Sequence, residues 1–218
     1  SLIGIGAFTT LIGVNRDEQS LRIFGLIILT MSASYAAFAY VIRIRRWRLL
    51  TLDTKLVLVG IGVMLLIGFI SFMSLEWSNA ETIGTESVRS KVTQGVFHTV
   101  NRTAGFSTID YGNLHKANMG VTEGLMFVGG ASASTAAGIK VSTFMVIVIA
   151  SLAIFSGKER TTVFGREIPR VNVQRAMAVG STAAAAVLVL IVALFIVQPE
   201  LDFRTGMFEI ISAFGTVG

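Results

Sequence analysis

The 218-residue sequence predicts an all-α integral membrane protein, and three observations carry that prediction. The first is composition. Hydrophobic residues make up 53% against 14% charged, with a mean hydropathy of +0.73, whereas a soluble globular domain runs nearer 45–50% apolar and about 25% charged. The second is a series of uncharged stretches of membrane-crossing length, joined by loops that alternate in charge. The third is an internal repeat that follows two of those stretches. The first observation excludes an ordinary cytosolic enzyme. The absence of cysteine removes disulfide frames, thiolate nucleophiles and Cys-ligated metals, and two histidines argue against a His-rich metal centre. Because the first residue is Ser and the last, Gly218, falls inside a motif, the sequence reads as part of a longer chain. Nothing in it resembles a cleaved signal peptide.

Taken in order, residues 1–19 are mildly apolar and Gly-rich, and remain an unassigned outer segment. Crossing a hydrocarbon core of about 30 Å takes about 20 apolar residues. Ile23–Ile42 and Leu56–Leu75 are each 20 residues without a charge, and Ala176–Gln198 gives 23 more. A fourth stretch differs: Gly124–Ile139 is uncharged, Lys140 interrupts, and Val141–Gly157 is uncharged again. That is too long for one simple crossing, and small residues break it at Gly129-Gly130-Ala131-Ser132-Ala133-Ser134-Thr135-Ala136-Ala137-Gly138.

Charge sets the orientation. Loops 43–55 and 158–175 hold ten Lys/Arg against three acids, while segments 1–22, 76–118 and 199–209 hold seven against nine. The positive-inside bias places the two basic loops in the cytoplasm, and the alternation of four spans gives the same answer independently. The net charge of +5 is therefore topological, with no nucleic-acid partner implied. Arg43–Arg48 reads as an interface anchor, with Trp47 at the headgroups of the surrounding lipid.

Between the outward and inward spans lies the repeat. Lys91–Asn101 has helix-compatible apolar spacing (Val92, Val96, Phe97, Val100), is about three turns long, and ends in Arg102-Thr103-Ala104-Gly105-Phe106-Ser107. Phe203–Phe214 repeats the theme and ends in Gly215-Thr216-Val217-Gly218. An offset of 113 residues, Gly105 onto Gly218, pairs Thr103 with Thr216 and Thr99 with Ser212. Non-helical backbone at membrane depth survives only where it is buried in protein or lines a watery cavity. Carbonyls turned one way by such a turn can replace the hydration shell of an alkali cation. A short helix ending there adds roughly half a negative elementary charge. Two external Gly-capped turns are the plain alternative, and the second copy at an equivalent topological position argues against it.

These three motifs, together with Arg48–Leu58 and Leu75-Glu76-Trp77, resemble the Trk/Ktr/HKT superfamily of potassium transporters over roughly residues 20–218, closest to its bacterial KtrB/TrkH membrane subunits. The resemblance implies helix–pore-loop–helix repeats in a pseudo-fourfold arrangement, with re-entrant pore helices and one broken helix. Residues 20–42 would be the second helix of repeat two, 56–157 repeat three (pore helix and filter 91–108, broken helix 119–157), and 176–218 repeat four up to its filter. It also implies a K+ selectivity filter lined by carbonyls of Thr103, Ala104, Thr216 and Val217, with Gly105 and Gly218 setting the geometry. Gly129 through Gly138, with Lys140, would form the gate loop. Family members carry Gly where Ala133 and Ala137 stand, so this loop is expected to be stiffer. Further implications are uptake of K+ or Na+, a homodimer in the bacterial plasma membrane, and a cytosolic nucleotide-binding regulator of the KtrA/TrkA type.

Rival readings exist for several residues. Gly129–Gly138 would be a small-residue packing face, although Ser132, Ser134 and Thr135 bring three hydroxyls that packing does not need. Lys140 is either a snorkelling residue or a functional cation at the inner side of the pore. Glu123 and Glu209 are solvated or cation-attracting; His98 is a packing residue and His115 exposed. No Ser/His/Asp set or His-x-x-x-His spacing supports catalysis, so a polytopic membrane enzyme or sensor is the less favoured class.

Overall fold

A computed structural model describes residues 49–102, 105, 107–131, 137–158 and 160–217. The predicted span Ile23–Ile42, the anchor Arg43–Arg48, and Thr103, Ala104, Ser132, Ala133, Ser134, Thr135, Ala136 and Gly218 lie outside the described residues. The described elements are α1 (Leu52–Glu76), α2 (Val88–Asn101), a 3-10 turn (Tyr111–Asn113), α3 (Lys116–Phe127), α4 (Val141–Phe155), a hairpin β1 (Thr162–Val163) and β2 (Arg166–Glu167), α5 (Arg170–Val197) and α6 (Phe203–Gly215). Among the described residues, α1 and α5 are the helices long and apolar enough to cross a membrane.

Local chemistry explains where each helix begins and ends. Thr51 caps α1 by accepting from the Thr54 amide at 3.3 Å, so the helix starts inside the predicted loop 43–55. Ser87 caps α2 through the Ser90 amide at 3.3 Å, one turn before the predicted start at Lys91. Both are N-cap hydroxyls satisfying a donor the helix itself cannot. The chain's two prolines bracket α5. Pro169 supplies the fixed φ that opens it, inside predicted loop 158–175. Pro199 forces Gln198 out of the helical region at φ −129°. The rest of that loop contains an unpredicted hairpin, whose two-residue turn has positive φ at both Phe164 (51°) and Gly165 (74°), the turn geometry that fits strand twist.

Helix α1 is the central post, packed against α2, α3 and α4, while α5 packs against α4 and α6, and α6 against α3. Val57, Ile61 and Met64 of α1 meet Leu125, Val128, Ala131 and Val141 in the main apolar cluster. A second cluster, Phe72, Ile83, Ile109 and Leu114, sits at the other end of α1. Helix α5 instead leaves Leu188, Val189, Val192 and Ile196 exposed, an apolar surface suited to lipid or further protein rather than water.

Each long helix, of 25 residues in α1 and 28 in α5, is followed by a short one, of 14 in α2 and 13 in α6. Each short helix is then followed by backbone of positive φ: 69° at Gly105 and 53° at Thr216.

Candidate functional site

Three segments singled out by sequence converge: the end of α2, the break between α3 and α4, and the end of α6. In the segment read as a broken helix, 119–157, α3 ends at Phe127 and α4 begins at Val141, with α3 starting at Lys116, three residues before 119. His115 caps it, its Nδ1 accepting from the Ala117 amide at 3.3 Å, and the residue is exposed as expected.

The break is a closed neck. The Gly129 amide donates to Ile139 O at 2.9 Å, Ile139 donates to Phe127 O at 3.1 Å, and Val141 donates to Gly130 O at 3.2 Å. Main-chain bonds thus tie residues 127–130 to 139–141 at one neck. Two glycines make that crossing possible. A Cβ on Gly129 would lie inside the Ala137 carbonyl oxygen, and Gly138 has φ +80° with its pro-Cβ position 2.9 Å from Phe127 O. Ala131 is buried beside the neck. Lys140 is half-buried and occupies the N-cap of α4, without a side-chain capping bond.

The end of α6 packs onto this neck. Phe214 stacks on Phe127 with centroids 5.4 Å apart, and a Cβ on Gly215 would meet Met126 O at 2.8 Å. Thr216 is left-handed at φ 53°, ψ 40°; its amide donates to Ala213 O at 3.1 Å, and that of Val217 to Ser212 O at 2.9 Å. A β-branched residue in this region is strained. The Thr216 hydroxyl oxygen accepts from the Ala137 amide at 3.2 Å, linking α6 to the exit side of the loop. On the other side, Arg102 caps α2 and is 5% exposed. Its Nη1 donates to Leu125 O at 2.8 Å and Val128 O at 2.6 Å. Carbonyls at a helix end lack intrahelical partners, and a guanidinium satisfies them with charge-assisted bonds.

Behind α2, His98 is a packing residue as read, stacked on Phe72 at 5.2 Å, and it also terminates a polar relay. Gln94 donates to both Glu86 oxygens at 2.8 and 2.7 Å, the Thr108 hydroxyl donates to Gln94 Oε1 at 2.9 Å, and Thr108 lies 2.9 Å from His98 Nε2. With the Thr108 proton so used, Nε2 is the nitrogen that donates. The relay holds the segment after Gly105 against the helix before it. Desolvation pushes the nearby Tyr111 phenol up to about 12, against hydrogen bonds to Asn101 and Ser107 that favour the anion.

Sequence reasoning missed Glu76, treated only as a helix end. It is fully buried and takes four donors: the His115 amide and Asn118 Nδ2 at 2.9 Å on Oε1, and Asn79 Nδ2 at 2.7 Å and Thr82 Oγ1 at 2.9 Å on Oε2. Those donors lie between Asn79 and Asn118, 39 positions apart, with no periodicity to flag them. Lys91, the predicted start of the short helix, is likewise buried, donating to Trp77 O at 2.8 Å and Gly84 O at 2.9 Å. Glu123 is 4% exposed, so the solvated alternative is corrected: α3 turns it inward toward the packed side.

A sequence profile of the family described as "Cation transport protein", TrkH, matches residues 24–218. The Ktr system potassium uptake protein B of Bacillus subtilis is 36% identical over 193 residues, 88% of this chain and 43% of that protein. The potassium/sodium uptake protein NtpJ of Enterococcus hirae is 30% identical over 203 residues, 91% of this chain and 45% of that protein. The crystal structure of the potassium transporter TrkH from Vibrio parahaemolyticus superposes with a TM-score of 0.74 at 15% identity, covering 93% of this chain and 44% of that one. The chain thus spans under half the length of these relatives.

Proposed function

This chain belongs to the TrkH family of cation transport proteins, membrane proteins and not enzymes, and from that premise we propose that it contributes half of a potassium uptake pore. Thr103, Ala104, Thr216 and Val217 present carbonyls to a dehydrated K+, and Gly105 and Gly218 set the turn geometry. The loop from Gly129 to Gly138, with Lys140 at its exit, obstructs the path beneath them. The filter turns come from pore-loop repeats, and the missing repeats of the full-length chain complete a pseudo-fourfold ring. The full protein works as a homodimer in the lipid of the bacterial plasma membrane, under a cytosolic nucleotide-binding regulator of the KtrA/TrkA type.

One observation carries this reading. Two short helices, in segments that the 113-residue offset aligns, are each followed by a positive-φ residue, Gly105 after α2 and Thr216 at the end of α6; Arg102 Nη1 donates to Leu125 O and Val128 O on one side of the neck, and Thr216 Oγ1 accepts from Ala137 N on the other. A packing face needs no such closed neck. The test is rubidium flux into proteoliposomes holding the full-length protein, with and without residues 131–137. Deletion that raises regulator-independent flux while sparing K+ preference supports the gate, whereas deletion that only lowers yield and dimer content refutes it. Sodium permeation is the second reading, favoured by the 30% identity to a protein named for potassium and sodium uptake. Competition of the same flux by Na+ separates the two.

A further inference from the structure

A small cavity lies where α1, α2 and α3 meet. Its volume is about 20 Å³, and Ser71, His98, Thr99, Arg102 and Thr122 line it among apolar neighbours. His98 is buried, and its Nδ1 has no hydrogen-bond partner. The relay behind α2 fixes what that nitrogen needs. Gln94 Nε2 donates to the Glu86 carboxylate, so Gln94 Oε1 is the atom that accepts the Thr108 proton at 2.9 Å. Thr108 Oγ1 then accepts from His98 Nε2, also at 2.9 Å. A neutral imidazole with its proton on Nε2 carries a bare acceptor at Nδ1. The hydroxyls on the wall are in the same condition, because each proton is committed elsewhere. Ser71 donates to Asn118 Oδ1 at 3.1 Å, Thr99 to Gly95 O at 2.7 Å and Thr122 to Asn118 O at 2.8 Å. These oxygens offer lone pairs only.

We propose that this cavity binds a single water molecule, which donates one proton to His98 Nδ1 and the other to a hydroxyl oxygen of the wall. Size, polarity and charge select that occupant. A buried water needs at least about 10–15 Å³ of such space and about three polar partners, and the cavity supplies both. Lone pairs on the wall call for a donor, which excludes an anion. The buried Arg102 guanidinium on the same wall excludes a cation by like-charge repulsion. A neutral molecule with two donors remains. Leaving Nδ1 bare would cost its full desolvation, which is more than an ordinary hydrogen bond returns. The candidate partners sit on three elements: Ser71 on α1, His98 and Thr99 on α2, and Thr122 on α3. The water is thus a joint between those helices, and it carries the hydrogen-bond chain from Glu86 past His98 into their shared interior.

The test is a pair of crystal structures of the full-length protein, parent and His98→Phe, grown in rubidium at a resolution that shows ordered water. Phenylalanine keeps a ring to stack on Phe72, now 5.2 Å from His98, and lacks the acceptor. The parent is expected to show one peak in the cavity, about 2.7–3.2 Å from Nδ1, and the variant to lose it. A dry cavity in the parent, where other buried waters are visible, overturns the site. So does a peak that stays in place in His98→Phe, or one that carries the anomalous signal of rubidium. Should His98→Phe fail to assemble, solid-state NMR of the parent labelled with 15N-histidine decides. The His98 ring is expected to hold its proton on Nε2 and to show magnetisation transfer from water to a bare Nδ1. A proton on Nδ1, or no transfer from water, sinks the inference. Neither measurement reads flux, so this site and the pore reading stand or fall separately.

Discussion

Substituting Gly129 with alanine tests the neck most directly. The new methyl would overlap the Ala137 carbonyl oxygen and lie 2.8 Å from its carbon, both backbone atoms that no rotamer change can move aside. The two chains must separate by an ångström or more. The bonds at risk are Gly129 N to Ile139 O, Ile139 N to Phe127 O and Val141 N to Gly130 O, at 2.9, 3.1 and 3.2 Å. Losing two of them costs about 1–3 kcal/mol in net hydrogen bonding, and buried groups left unpaired raise the figure to ~2–4 kcal/mol. Gly138→Ala attacks the same crossing from the other side, through a left-handed φ and a 2.9 Å approach to Phe127 O. Since both open one neck, the double variant should cost little more than either single one. Gly157→Ala is the control: its φ is +68°, but open space surrounds it, so only the backbone penalty of ~1–2 kcal/mol applies. The assay is the temperature at which full-length protein loses monodispersity in detergent, paired with regulator-independent rubidium flux. The expected order is Gly129→Ala and Gly138→Ala well below Gly157→Ala in stability, and both raised in basal flux. Additive losses in the double variant, or a Gly129→Ala protein as stable as its parent, would show that the neck is not the closed structure described.

Three other outcomes follow from the site. Glu76→Gln sets an amide donor against donors that now converge on a carboxylate, so stability should fall by ~2–3 kcal/mol; an unshifted melting midpoint would count against the four-donor hub. Gly105→Ser places a side chain at φ +69°, costing ~1–2 kcal/mol of backbone strain. Potassium over sodium preference should drop, and an unchanged permeability ratio would contradict the filter assignment. Tyr111 gives a pH dependence. Its folded-state phenol ionises at about 12 against an ordinary 10, so the folded protein holds the proton longer. This group's contribution is constant below pH 10 and is lost as pH rises from about 10 to about 12. Tyr111→Phe should therefore flatten the alkaline limb of the stability curve, which pH-dependent melting of the two proteins measures.

Hydropathy, charge alternation and the Thr-x-Gly repeat made much of this protein legible before any coordinates. They located the two long helices, the gap between α3 and α4 and the two short helices, because lipid permits few solutions for twenty uncharged residues. Boundaries were less legible. Thr51, Ser87 and Pro169 extend three helices beyond their apolar runs by capping chemistry, and a hydrophobicity window does not register a cap. The Phe164-Gly165 hairpin hid for a similar reason, since a phenylalanine in the left-handed region departs from the usual Asn-Gly signal. Among the site residues, Gly129 and Gly138 stood out as small residues, but only the folded chain shows that they face each other across a neck. Glu76, Arg102 and Lys91 carry no periodic mark, and each looked like an ordinary charge near a helix end. Their partners come from elements brought together by packing: Asn118 and Thr82 on Glu76, Leu125 and Val128 on Arg102, Trp77 and Gly84 on Lys91. Sequence by itself determined which segments are long and apolar enough to cross a membrane, because transfer to lipid is decided residue by residue within a segment. Only the tertiary structure decided which buried charges are satisfied and by whom, because a hydrogen bond depends on two groups meeting within about 3 Å, and no local pattern encodes that meeting.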